Sequence, residues 1–243
     1  MATKRRAGAR WLVIAWKAFS YSLGALAIAF VLAQLWFYGH ILYWTRFPPG
    51  QTAFMERRLD ALLEKNPRAR LQYQWVPYER ISANLKRAVV AAEDARFLDH
   101  EGFDWDMIQK AMTRNEKRGR VVAGASTISQ QLAKNLFLSG ERSWLRKGQE
   151  AIITWMLEST LSKRRILELY LNVAEWGDGG VFGAEAAARH HFGNAAAALD
   201  ANQASWLAVI LPSPRRYDRG RTTPYLTGRV ETIRARMGTV QIP

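Results

Sequence analysis

The pattern of hydrophobic and polar positions divides the chain into one long apolar stretch and a series of shorter amphipathic segments. Between Ala18 and Gly39 there are 22 residues without a charged side chain, which is about the length that a helix needs to cross a bilayer. After the breaker sequence at residues 47–50, apolar residues recur mostly at helical spacing. The pattern predicts a basic tail and transmembrane anchor over residues 1–46 and a separate helical domain over residues 47–243.

Basic residues precede the apolar stretch, and Trp and Tyr residues border it. Residues 1–17 contain five Lys and Arg and no acidic residue, so the positive-inside rule predicts a cytoplasmic N-terminus and an external domain. The alternative is a cleaved signal peptide, whose apolar region would span about 7–15 residues and be followed by a small-residue cleavage site. The sequence favours the uncleaved anchor.

Capping residues predict where the helices of the second region begin. The predicted helix starts are Ser82, Asp104, Thr127 (with Gln130 as a capping box), Ser143, Ser162, Gly183, Asp200 and Pro224. The alternating segment at residues 71–75 is the only predicted strand. Without repeats or alternating strands and helices, the fold class is predicted to be mainly α rather than a doubly wound sheet.

Composition and charge reduce the number of functions that the chain could have. The absence of cysteine excludes disulfides, thiolate metal sites and cysteine nucleophiles. The four histidines have no clustered spacing, and His190-His191 is interpreted as a helix-end pair without a third ligand, so no metal site is predicted. The net charge of +14 indicates an acidic partner: nucleic acid, anionic lipid headgroups or an acidic substrate.

Glu93 is the first candidate for chemistry, because it follows four small or apolar residues at the end of a predicted helix. Partial desolvation raises the pKa of such a carboxylate and makes it a better general base. The alternative interpretation is a helix-end carboxylate that pairs with Arg96 at i+3. The residue pattern alone leaves both open.

A second block carries neutral hydrogen-bonding residues followed by a cation. Ser126, Gln130 and Lys134 recur at four-residue spacing with Thr127 and Gln131 beside them, which predicts a polar stripe on one helix face. This stripe, together with free N–H groups at the helix start, suits an anionic and oxygen-rich ligand. A solvated polar face is the alternative.

Two further blocks follow. Arg146, Lys147 and Glu150 are interpreted either as a surface ion pair or, with Arg142, as a clamp for a phosphate leaving group. The segment from Lys163 to Asn172 is apolar enough to be interpreted chiefly as a packing helix, in which Glu168 pairs with Arg164 or Arg165.

Together the four blocks resemble glycosyltransferase family 51, the peptidoglycan glycosyltransferases. The motifs, in family order, are Glu93-Asp-x-x-Phe97-x-x-His100-x-Gly102, Gly124-x-Ser126-Thr127-Ile-x-Gln130-Gln131-x-x-Lys134-Asn135, Arg146-Lys147-x-x-Glu150 and Lys163-x-x-Ile-Leu-Glu168-x-Tyr170-Leu-Asn172. The resemblance covers about residues 70 to 218, and Ala125 stands where the family often has a second glycine. A chain of 243 residues leaves no room for a transpeptidase domain, so it is similar to the monofunctional members in Gram-negative bacteria.

The resemblance implies a lysozyme-like helical domain with a small membrane-proximal lobe. It also implies that the substrate is lipid II, polymerised into β-1,4-linked glycan with inversion and release of undecaprenyl pyrophosphate. Glu93 would be the catalytic base and Glu150 a second catalytic residue. The implied substrate-binding residues are Ser126, Thr127, Gln130, Gln131, Lys134, Asn135, Arg142, Arg146 and Lys147.

The implied role is cell wall biogenesis and cell shape at the inner membrane, with a periplasmic catalytic domain. The expected partners are the growing glycan strand, the membrane and other cell-wall synthesis proteins, and not nucleic acid. No cofactor is required, although a divalent cation could assist at the pyrophosphate. The alternatives are a lytic, lysozyme-like glycosidase that acts on finished glycan, a membrane-tethered scaffold and a nucleic-acid binder.

Overall fold

The computed structural model describes residues 2–120, 124–138, 143–220 and 223–243, with the backbone alone for residues 2–13. By its internal contacts the chain divides into a first unit that ends at Tyr43 and a second unit from Trp44 to Pro243. The predicted Arg142 lies outside the described residues.

The described residues are mostly helical, so the mainly α fold class predicted from the sequence is confirmed. The helices are α1 (Ala2–Trp44), α2 (Ala53–Leu63), α3 (Ala83–Glu93), α4 (Trp105–Arg118), α5 (Ile128–Phe137), α6 (Trp144–Thr160), α7 (Lys163–Val173), α8 (Ala184–Phe192), α9 (Ala201–Ile210), α10 (Pro214–Arg219) and α11 (Pro224–Arg236). Short 3₁₀ turns occupy Tyr78–Arg80 and Ala196–Ala198.

The first unit is the helix that the long apolar stretch predicts. Within α1, the segment Ile14–Trp44 is long and apolar enough to cross a membrane by length and composition. Its side chains are largely exposed in the protein alone, unlike those of a helix from the core of a soluble protein. These properties fit a single-pass membrane anchor.

In the second unit, helices begin at the residues that the sequence indicates. The side chains of Ser82, Asp104, Ser143 and Ser162 each accept a hydrogen bond from a backbone N–H in the first turn. The Thr127–Gln130 pair forms a full capping box at the start of α5. Because a cap satisfies otherwise unpaired N–H groups locally, the sequence alone can locate it.

The expectation of a single strand is wrong, since the second unit contains a small three-stranded sheet. The strands are β1 (Gln72–Tyr73), β2 (Glu175–Gly177) and β3 (Val181–Phe182), in the order β1-β3-β2. β3 pairs parallel to β1 and antiparallel to β2. Strands of two or three residues are too short to show an alternating pattern, and the β1–β3 pairing joins distant parts of the chain.

The core is built around α5 and α3. The buried face of α5, which includes Ile128, Leu132 and Leu136, packs against α6 and α7. α3 packs against α9, and α11 covers both. Gly183, at the start of α8, has φ +83°, and a Cβ there would lie 2.7 Å from the carbonyl oxygen of Asn172. This position therefore requires glycine.

Candidate active site

Glu93 is the last residue of α3, and its carboxylate is held by a neutral side chain. Its Oε2 accepts a hydrogen bond of 2.7 Å from Nε2 of Gln131 on α5. The Tyr170 hydroxyl on α7 donates to Oε1 of the same amide at 2.9 Å. Because the amide oxygen is occupied by Tyr170, the amide NH₂ is the group that faces Glu93.

The environment of Glu93 favours its protonated form more than water does. Burial raises the pKa of Glu93, and this is only partly opposed by the Gln131 hydrogen bond and the charges of Lys134 and Arg229. The nearby Asp94 carboxylate adds to the increase in pKa. A carboxylate of this kind is a better proton acceptor near neutral pH than an exposed glutamate. The alternative pairing with Arg96 is wrong, because Arg96 instead contacts Asp99, Asp104 and Asp106.

The adjacent residue, Asp94, is buried and joins the end of α3 to the start of α5. Its Oδ1 is 2.9 Å from Nε2 of His100, and its Oδ2 accepts a hydrogen bond of 3.0 Å from the N–H of Ile128. The Thr127 hydroxyl donates to the carbonyl oxygen of Gly102 at 2.6 Å. These contacts fix the segment that follows Glu93 against the helix that carries Gln131.

The single polar stripe predicted on α5 is not formed. The helix begins at Ile128, so Ser126 precedes it, and the Gln130 amide turns back to accept from the N–H of Thr127 at 3.1 Å. The N–H groups of Ile128 and Gln130, which were expected to be free for a ligand, are bonded to Asp94 and Thr127. Gln131 is the residue of this block that reaches the Glu93 carboxylate.

A cluster of cations surrounds the second predicted carboxylate. Glu150 on α6 is buried, and its two oxygens contact Arg146, at 2.8 Å, and Lys147. The alternative of a surface ion pair is therefore wrong. The Nε of Arg146 is buried and has no hydrogen-bond partner among the described residues, so within that part of the chain its N–H lacks an acceptor.

Lys134 lies within electrostatic reach of both carboxylates. Burial lowers the pKa of Lys134, the neighbouring Arg146 and Lys147 lower it further, and the carboxylates of Glu150 and Glu93 act in the opposite direction. The α5 helix thus carries Gln131 and, one turn on, a partly desolvated cation. A desolvated cation interacts more strongly with a ligand anion than a hydrated one does.

A cavity of about 260 Å³ opens beside Glu93. Ser126 and Thr127, both predicted to bind substrate, line it together with Asp94. Asn135, also predicted to bind substrate, is buried on α5. The structure thus brings Glu93, Ser126 and Thr127 to one cavity, while Gln130 serves the helix cap.

The sequence prediction assigned no role to three residues that organise the site, namely Asp94, His100 and Tyr170. All three stand in the quoted motifs, but their contacts join segments that are distant in sequence. The sequence offered one signal for Asp94: it is a second carboxylate directly after Glu93. A residue in that position is well placed to hold the end of α3.

This arrangement defines a class of protein: a helical enzyme with a desolvated carboxylate beside cations that can neutralise an anionic group. Comparison with known proteins gives the family. The model of the family described as Transglycosylase matches residues 60–238, so the chain belongs to the transglycosylase family. It is a peptidoglycan glycosyltransferase of glycosyltransferase family 51.

Similar proteins extend this match to nearly the whole chain. A biosynthetic peptidoglycan transglycosylase from Janthinobacterium sp. (strain Marseille) is 58% identical over 213 residues, which cover 88% of this chain and 92% of that protein. A protein of the same name from Nitrosospira multiformis is 54% identical over 234 residues, or 96% of this chain and 98% of that protein. A third, from Azoarcus sp. (strain BH72), is 55% identical over 228 residues, covering 94% and 98%.

Proposed function

We propose that the protein polymerises lipid II into β-1,4-linked glycan strands, with inversion at the donor anomeric carbon and release of undecaprenyl pyrophosphate. The observation that carries the proposal is Glu93, a largely desolvated carboxylate bonded to the neutral Gln131 amide. The raised pKa of Glu93 supports its role as the base that removes a proton from the hydroxyl group of the acceptor sugar.

In the proposed reaction, Glu93 removes the proton of the acceptor sugar's 4-hydroxyl. The oxygen attacks the donor's anomeric carbon as the bond from that carbon to the pyrophosphate oxygen breaks. The electron pair of that bond leaves with the pyrophosphate. A single displacement of this kind inverts the configuration at the anomeric carbon.

The leaving group gains negative charge as this bond breaks, and the cations of the site are the groups that would neutralise it. Lys134 is partly desolvated, and Arg146 has a buried Nε–H without a partner among the described residues. Glu150 contacts Arg146 and Lys147 and would hold them in position. We expect Arg142 to join this group.

Since these side chains supply the positive charge, the proposal requires no cofactor. A titration of turnover with Mg²⁺ tests whether a divalent ion assists.

Ser126 and Thr127, which line the cavity, would contact the sugar units. Gln131 would act through its hydrogen bond to Glu93, with Gln130 and Asn135 supporting the same helix.

We further propose that the N-terminus is cytoplasmic and that the domain after α1 is periplasmic, where it meets a substrate held in the same membrane. The basic residues before the apolar stretch support this orientation. A reporter enzyme that is active only in the periplasm should be active when it is fused after Pro243. Activity of a reporter that works only in the cytoplasm would contradict the proposed orientation.

The reaction itself is tested with the full-length protein in detergent. Given lipid II, it should produce glycan polymer and free undecaprenyl pyrophosphate, and it should leave preformed glycan strands intact. Shortening of preformed strands without polymer formation would instead identify a lytic glycosidase.

The leaving-group role is tested by Lys134→Met, which keeps the length of the side chain and removes its charge. We expect kcat to fall by about 100-fold, since an electrostatic contact made in the transition state contributes on this scale. Lys65→Met, which changes an exposed lysine just after α2, is the matched control and should leave turnover unchanged. Equal activity of both variants would remove Lys134 from the proposal.

A further inference from the structure

A second cluster of potential ligand atoms lies away from the glycosyltransferase cavity. His190 and His191, near the end of α8, face Asp218 on α10, and one ligand atom from each residue lies within 4.8 Å of the other two. Asp218 follows His190 by 28 positions. The sequence therefore showed no third ligand for the histidine pair, and the fold supplies one. We refer to these three residues as the His–Asp cluster.

The hydrogen bonds of His191 define which of its ring nitrogens is free. Nε2 is 2.8 Å from the carbonyl oxygen of Trp176, and since a carbonyl can only accept, Nε2 carries the proton. The other ring nitrogen, Nδ1, lies 3.8 Å from Oδ1 of Asp218, and in the neutral form of the ring it carries the lone pair. Histidines that bind metals commonly donate their other N–H to a backbone carbonyl in this way.

Asp218 is oriented by a similar outer contact. Its Oδ2 accepts a hydrogen bond of 2.8 Å from the N–H of Asp178, which leaves Oδ1 directed at the histidines. A Cβ at Gly177 would lie 2.9 Å from Oδ2, so a side chain there would push this carboxylate away from its present position. The Trp206 ring, whose centroid is 4.8 Å from that of His191, packs against the imidazole at 62°. Both ligand groups are thus held by atoms outside the cluster.

We propose that the His–Asp cluster binds a zinc ion through His190 Nε2, His191 Nδ1 and Asp218 Oδ1, with water as the fourth ligand. Tetrahedral zinc with ligand bonds of about 2.0–2.1 Å places its ligand atoms about 3.3 Å apart. The separations of 2.9 Å and 3.8 Å from Asp218 Oδ1 to the two histidines lie on either side of that value. The nitrogen and oxygen ligands suit zinc and do not require cysteine.

Zinc binding would displace the proton through which His190 Nε2 now bonds Asp218, and that proton is released to solvent. The metal would join the end of α8 to α10, a helix of only six residues. Because a ligand that binds only the folded state stabilises it, zinc is expected to act as a structural clip.

The experiment uses the metal-free, full-length protein in detergent, without a histidine tag, titrated with ZnCl₂ alone. We expect one saturable site per chain and a rise in Tm of about 5 °C when zinc exceeds its Kd by about 100-fold. Co²⁺ in place of zinc should give the visible absorption of a tetrahedral site with nitrogen and oxygen ligands.

Two variants test the ligands. His190→Gln and Asp218→Asn should each weaken zinc binding by at least about tenfold and abolish the rise in Tm; in Asp218→Asn the amide oxygen still accepts from the Asp178 N–H. His40→Gln, in α1, is the matched control and should bind zinc as the wild type does. Absence of saturable binding, or binding that persists in both cluster variants, would overturn the proposal. Polymerisation of lipid II is measured separately and does not enter either result.

Discussion

Glu93 and Glu150 are two shielded carboxylates with opposite surroundings. The hydrogen-bond partner of Glu93 is the neutral Gln131 amide, whereas Glu150 contacts Arg146 and Lys147 directly. The first arrangement leaves a carboxylate that takes up protons readily, and the second holds a carboxylate that serves to position cations. Environment, not residue type, therefore separates the two proposed roles.

The comparison has a consequence for stability. The pKa of Glu93 is raised in the folded protein, so the folded state binds its proton more tightly than the unfolded state does. The contribution of Glu93 to stability is then greatest below its unfolded pKa and is lost as the pH rises through the folded pKa. Near neutral pH, ionised Glu93 costs stability.

The largest expected effect is that of Glu93→Gln. Turnover of lipid II should fall by about 10²–10⁴-fold, the range for loss of a general base. In the same variant, Tm near neutral pH should rise by about 2–4 °C if about 1 kcal/mol of desolvation cost is removed. The gain should disappear at about pH 4, where the wild-type carboxyl is protonated.

A glycan polymerisation assay and thermal unfolding at the two pH values measure these effects. Glu64→Gln, at an exposed position just after α2, is the control and should change neither quantity. Near-normal turnover of Glu93→Gln would end the assignment of Glu93 as the base.

Glu150→Gln should have the opposite effect on stability. It leaves Arg146 and Lys147 without their carboxylate, and breaking a buried ion pair costs about 3–5 kcal/mol. Since both cations are partly exposed, we expect a smaller loss of about 1–3 kcal/mol. Thermal unfolding should show a Tm lower by about 2–12 °C, and an unchanged or higher Tm would contradict the contrast with Glu93.

Gln131→Leu sharpens the comparison through pH dependence. Removal of a hydrogen bond that favours the carboxylate raises the pKa of Glu93 further, so the acid limb of kcat/KM should move to higher pH by about one unit. Tyr170→Phe keeps the hydrogen bond between Gln131 and Glu93, so the acid limb should move less in this variant. A shift of the acid limb to lower pH in Gln131→Leu would contradict the conclusion that the Gln131 hydrogen bond stabilises the ionised form of Glu93.

The smallest expected effect is that of Thr127→Val, which removes the cap of α5 and the hydrogen bond to Gly102. Loss of a cap costs about 1 kcal/mol, which corresponds to a decrease in Tm of about 2–4 °C. Thr127→Ser retains the hydroxyl and should recover most of this loss. A Tm equal to that of the wild type in Thr127→Val would show that the cap contributes little.

The sequence was sufficient for most helices, although not for α10, because caps and apolar spacing are local signals. It also named Glu93 as a candidate from the residues before it, but it left a pairing with Arg96 open. It was insufficient for contacts between distant segments. The pairing of β1 with β3, the bond from Asp94 to the Ile128 N–H and the approach of Asp218 to His190 each depend on how helices pack.

The error on α5 has a related cause. Spacing alone grouped Ser126, Gln130 and Lys134 on one face, although the Thr127–Gln130 capping box in the sequence already marks Thr127 as the residue before the helix. A helix that begins after Thr127 cannot include Ser126, and its capping box uses the Gln130 amide. The cap, rather than four-residue spacing, decides which side chains reach the cavity.

Asp94 also determines how the cavity should respond to heat. Its two oxygens connect His100 and the first turn of α5 to the end of α3, so these segments must separate together. A local opening there would carry Glu93 and Gln131 apart in one step. Loss of catalytic geometry should therefore be cooperative, and the hydrogen-exchange rate of the Ile128 amide would report the same event.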